Sequence, residues 1–158
     1  LLDSRAIFLS WECGEMSKKH ILQATMAGVV SGIFLGLFFK FAQTVTEIKV
    51  YTLLLNVDYV PILQSFRRSE TFEFSLHLII SILLSIVILY IIQSKGWGNR
   101  EKITFTIFVS VAVGIILYPT TLLSERTPAF TDMYAFLLWL VGHLIYGVLL
   151  GSMIREKW

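Results

Sequence analysis

Charge is scarce in this chain and cysteine nearly absent, and each shortage removes a class of protein. Of 158 residues only 15% are charged, against roughly 25% in a soluble domain, which is too few to coat a globule in water. Cys13 is the one cysteine, so an internal disulfide and a paired-cysteine zinc site are both excluded. The three histidines show no metal-ligand spacing, and a formal net charge of +2 with no basic run interleaved with aromatics gives no sign of a nucleic-acid partner. No aspartate cluster of the kind that binds metal is present. That counts against an enzyme acting on a lipid or isoprenoid at the membrane surface, and no other catalytic, cofactor or metal motif takes its place.

What the chain has in excess is apolar length. It is 56% hydrophobic, with a mean hydropathy of +0.74. Four apolar runs cover about 21–46, 73–93, 103–124 and 132–154, each beyond the ~18 residues that indicate a span. The expected fold is all-α: an integral membrane four-helix transmembrane bundle, one domain over residues 21–158, whose first partner is the lipid bilayer. Residues 1–20 form an N-terminal tail. Within it "LLDSRAIFLSWECGE" lacks the features of a signal peptide, whereas "MSKKH" is the short basic start expected before a span. The codons for Trp11-Glu12 must contain GGGA just upstream of Met16, so residues 1–15 are expected to be translated leader.

Flanking basic residues set orientation. Lys18, Lys19, Lys95, Arg100, Lys102, Arg155 and Lys157 lie on one side, against Lys49, Arg67, Arg68 and Arg126 on the other. Both termini and the loop "QSKGWGNREK" are therefore expected in the cytoplasm. The external segment 47–72 is broken by Asn56, Asp58 and Pro61 and cannot span. It is expected to form one or two helical turns lying on the outer membrane surface.

Within the first span, Gly28, Gly32 and Gly36 recur at four-residue spacing. Lipid tails are as apolar as leucine, so helices in a bilayer associate through close packing, which small residues on one face permit. The other spans repeat the device with Ser81 and Ser85, with Ser110 and Gly114, and with Gly147 and Gly151. These residues are expected to form the seams of the bundle.

Ionisable residues share those faces. Lys40 lies nineteen residues past Ile21, or about 28 Å along a helix. There it either snorkels to the headgroups or pairs inward with Glu47, Glu73 or a carbonyl. His77 enters one turn after Glu73. Pro119 cannot hydrogen-bond the Ile115 carbonyl, which is left for a neighbour. His143 sits at the centre of the fourth span, where a histidine has no route to water and must be neutral, paired or facing a cavity. A hydrogen bond to a serine or threonine of another helix is one expectation for it and a proton-responsive role the other.

The ordered set "AGVVSG", Lys40-Phe41-Ala42-Gln43, "HLIISI" from His77, Gly114 with Pro119, Thr127-Pro128 and Gly142-His143 resembles the YagU-like inner-membrane proteins of bacteria. The resemblance covers most of residues 24–155. It implies a multi-spanning protein of the bacterial cytoplasmic membrane, without established biochemistry and linked to acid resistance. The leading expectation is a non-enzymatic membrane protein that supports acid-stress or envelope physiology, with Lys40, His77, His143, Glu47, Glu73 and Pro119 as a polar set between helices. A small transporter or proton-conducting subunit, acting as a homo-oligomer, is the alternative; an exposed glycine ridge would favour it.

Overall fold

The computed structural model describes residues 18–58, 60 and 69–154. The leader assigned to 1–15 and the Pro61, Arg67 and Arg68 readings lie outside these residues. The described chain folds as an all-α four-helix bundle. Helix α1 runs Lys18–Thr46 and α2 is a short turn at Val50–Leu54, followed by α3 at Glu70–Lys95 and α4 at Asn99–Leu117. A 3₁₀ helix continues α4 over Tyr118–Leu123, and α5 covers Met133–Met153. Helices α1, α3, α5, and α4 with its 3₁₀ extension are each long and apolar enough to cross a membrane. Below, the end carrying residues 47–58 and 124–132 is termed the loop end and the other the terminal end.

Local chemistry sets the helix limits. Ser69 caps α3 by accepting a bond from the Phe72 amide at 3.3 Å, and Glu70 and Glu73 place negative charge in the first turn, where the helix dipole favours it. At its far end Gly96 takes the left-handed conformation, φ 60°, which glycine adopts without steric cost. Pro119 ends the α-helical part of α4 and stands in the first turn of the 3₁₀ segment. Asp132 caps α5 through its carboxylate, bonded by the amides of Tyr134 at 3.0 Å and Ala135 at 3.1 Å. At the other end of α5, Lys102 of α4 reaches across to the Ile154 carbonyl at 2.7 Å, and Gln23 of α1 donates to the Met153 carbonyl at 3.2 Å.

The distribution of side chains is inverted relative to a bundle in water. Ser31, Ser81, Ser85, Thr106, Ser110 and His143 are buried, while Leu37, Phe41, Leu83, Phe108 and Ile116 face outward. A soluble helix turns its apolar stripe inward; these turn their small and polar residues inward and leave leucine, isoleucine and phenylalanine for lipid.

The small residues form two seams. Along the first, a Cβ on Gly28 would stand 2.9 Å from the Ile82 Cα and from the Ser81 carbonyl oxygen, and one on Gly32 would stand 2.9 Å from the Ser81 hydroxyl. Gly36 faces the Phe74 ring. Ser81 and Ser85 then donate across the seam to the carbonyls of Gly28 and Ala24, at 2.7 and 2.6 Å. The second seam joins α5 to α4, with Gly147 against Ile107 and Ser110 and Gly151 against Ile103 and Thr106. Helix α1 packs against α3 and α5, and α4 packs against α5. Helices α3 and α4, joined by a tight turn, scarcely touch.

Residues 47–58 depart from the surface-lying segment expected above. Glu47 ends α1 with φ 62° and is exposed. The chain then turns inward, burying Val50, Leu53, Leu55, Asn56 and Val57 against the bundle. Gln43 explains the turn, since its side-chain oxygen accepts from the amides of Tyr51 and Thr52, each at 3.0 Å, and so caps the start of α2. The segment covers the loop end as part of the protein core.

Candidate intramembrane site

The expected polar set divides in two. Lys40 binds Glu70, with Nζ to Oε1 at 2.6 Å and both side chains exposed, rather than Glu47 or Glu73. Tyr51 completes this group: its hydroxyl donates to the same Glu70 oxygen at 2.9 Å, and its ring lies 5.4 Å from the Lys40 amine. Burial, and then the bond to Glu70, push the Tyr51 phenol above its ordinary range. Glu47 and Pro119 are exposed and join neither group.

Glu73 is buried and belongs to a second ionic group. Arg126 donates to Glu73 Oε1 at 2.9 Å and to both oxygens of Asp58, at 3.1 and 3.2 Å. Ser124 also binds Asp58. Burial alone would lower the Arg126 pKa, but its bonds to Asp58 and Glu73 outweigh that and hold it above its usual value. One guanidinium thus ties the 55–58 segment, the first turn of α3 and the turn after the 3₁₀ helix.

Beneath this tie lies a cavity of about 90 Å³. Asn56 and Glu73 line its loop end, and Ser110, Tyr146 and His143 its deep end. The eight residues from Glu73 to Ser81 on α3 correspond to about 12 Å of depth. His77, on the α3 wall, bonds the Gly32 carbonyl through Nε2 at 3.1 Å. A carbonyl only accepts, so the hydrogen sits on Nε2 and the ring links α3 to α1.

His143 makes a different bond from the interhelical one expected of it: its Nδ1 meets the Trp139 carbonyl, one turn earlier on its own helix, at 2.9 Å. That carbonyl fixes the hydrogen on Nδ1. The neutral ring keeps a lone pair on Nε2, which has no hydrogen-bond partner among the described residues. Gly114 makes room for the ring, since a Cβ there would lie 2.9 Å from His143 Cγ. Trp139 braces the same layer, donating from Nε1 to the Gly114 carbonyl at 2.8 Å and stacking on Phe39 at 5.0 Å between ring centroids.

Three lining groups escape sequence reasoning. Asn56 is 3% exposed; its Oδ1 accepts from the Asp58 amide at 3.1 Å, while its Nδ2 has no hydrogen-bond partner among the described residues. Tyr146 meets the Ser81 hydroxyl at 2.8 Å, and Trp139 forms part of the floor. Asparagine between leucines and valine was visible as a break in the pattern, but a broken pattern does not say that the residue is buried. Below the cavity the glycine seams bring backbones together, so the cavity ends at the middle of the bundle. It gathers a proton-accepting imidazole, an amide donor and a carboxylate around one space. No family model, curated protein or solved structure matches the chain, so the chemistry of this site rests on its own geometry.

Proposed function

We propose that the protein is a non-enzymatic multi-pass protein of the bacterial cytoplasmic membrane, of the YagU-like kind, that serves acid-stress or envelope physiology by binding within the membrane. One observation supports this reading above the others: the cavity joining Asn56 and Glu73 to His143 is blind toward the terminal end. A blind pocket binds and responds; a conduit needs two mouths. The transporter reading draws no support from the glycine ridge, because Gly28, Gly32 and Gly36 are all buried inside the monomer.

The test is complementation of a strain lacking the gene. His143→Asn removes the titrating group while an amide can still bond the Trp139 carbonyl, and Val113→Trp fills the pocket from α4. Both variants are expected to lower survival in acid at membrane levels and melting temperatures matched to wild type. Unchanged survival of both would overturn the proposal.

A further inference from the structure

The pocket opens sideways. Its walls are Leu76 and Ile80 of α3 and Val113 and Leu117 of α4, two helices that scarcely touch. Ile80 is 54% exposed and Leu117 36%, so the rim of the gap is apolar. In helices that span a bilayer such a gap faces acyl chains, and what enters must already be dissolved in lipid.

The interior selects further. An engineered apolar cavity of about 150 Å³ accepts benzene; at about 90 Å³ this one is smaller and takes only the first few carbons of a single chain, the rest lying along the gap between α3 and α4. The deep hydroxyls are already committed, Ser81 to Gly28 and Tyr146, and Ser110 to the Thr106 carbonyl at 2.7 Å, and leave mostly hydrocarbon surface for the chain. At the loop end the unmet group is a donor, the buried Asn56 Nδ2, and a buried donor is costly to leave unpaired. The ligand must therefore carry a hydrogen-bond acceptor at one end. Glu73, whose carboxylate belongs to the same wall, repels an anionic head and favours a neutral one.

We infer that the pocket binds a neutral single-chain amphiphile, entering laterally between α3 and α4, with its ester carbonyl accepting from Asn56 and its chain leaving along the gap between α3 and α4. The inference rests on the binding reading above and adds the class of ligand. The probe is a monoacylglycerol with a photoactivatable diazirine in its chain, presented to the full-length protein in phosphatidylcholine nanodiscs. Cross-links should fall on α3 between Leu76 and Leu84 and on α4 between Ser110 and Leu117. Unlabelled monoolein should compete and oleate should not. Asn56→Leu should weaken monoolein competition about tenfold, the worth of one hydrogen bond, and Ile80→Trp, at an exposed rim position that puts little strain on the fold, should block labelling.

Labelling insensitive to both variants, or absent altogether, would overturn the inference. So would loss of labelling in Ile80→Trp with Asn56→Leu unaffected or with oleate competing equally; in that case the pocket still binds and only the assigned head group falls. Because the acid-survival experiment does not use this ligand, the two failures are separable.

Discussion

At the scale of the residue, the glycines are not equivalent, and what each faces predicts what its loss would cost. Gly28 faces backbone, the Ile82 Cα and Ser81 carbonyl, whereas Gly36 faces the end of the Phe74 side chain. A backbone cannot move aside without separating two helices, but an aromatic ring can turn. Gly28→Ala is therefore expected to destabilise the protein by about 1–3 kcal/mol, and Gly36→Ala by clearly less, as read by thermal unfolding in detergent. Equal losses would mean that the seams yield as freely at backbone as at side chains. The four-residue spacing of these glycines was legible in the sequence because helical periodicity is local. Which glycine meets backbone and which meets a ring depends on the register of the partner helix, and no spacing within α1 reports that.

At the scale of the element, the tie made by Arg126 holds together three segments that are far apart in sequence. Removing the guanidinium leaves Glu73, 5% exposed, without the cation that lies 2.9 Å from it. Breaking a buried pair from one side costs about 3–5 kcal/mol; since the Arg126 side chain is 36% exposed, the lower end of that range applies. Arg126→Met is expected to lower the melting temperature, and adding Glu73→Gln should recover part of the loss by removing the stranded charge. No recovery in the double variant would show that Asp58, rather than Glu73, carries the tie. The sequence offered Glu73 to Lys40 because both lie near one end of their spans. Glu70 and Glu73 stand three residues apart on α3, so a rotation of that helix about its axis decides which of them meets Lys40 and which meets Arg126. The inward turn of residues 50–57 was hidden for a related reason: its leucines and valines carry no clean period, and its anchor, Gln43, belongs to a different helix.

At the scale of the whole molecule, the four long helices were legible to within about four residues at each end, since length and hydropathy are properties of single segments. The cavity was not, because it comes from two helices failing to meet. Orientation is open to direct measurement. With Cys13 replaced by serine, Glu125→Cys, exposed at the loop end, should react with a membrane-impermeant maleimide added to intact cells, and Gly98→Cys should react only after permeabilisation. The reverse pattern would place the Asn56 end of the pocket on the cytoplasmic side and contradict the seven-to-four distribution of lysine and arginine.

The gap between α3 and α4 also bears on how the protein is made. Spans leave the ribosome in chain order, and α1 can dock with α3 through the first glycine seam as soon as both are in the bilayer. Helix α4 comes next and finds little to hold, because its partner surface is on α5, which is synthesised after it. Until then its serines and threonines face lipid, with Thr106 and Ser110 bonded only to carbonyls of their own helix. Assembly of α4 thus waits on α5, and a nascent chain arrested before Met133 would present the cell's membrane proteases with a paired α1–α3 and a solitary α4.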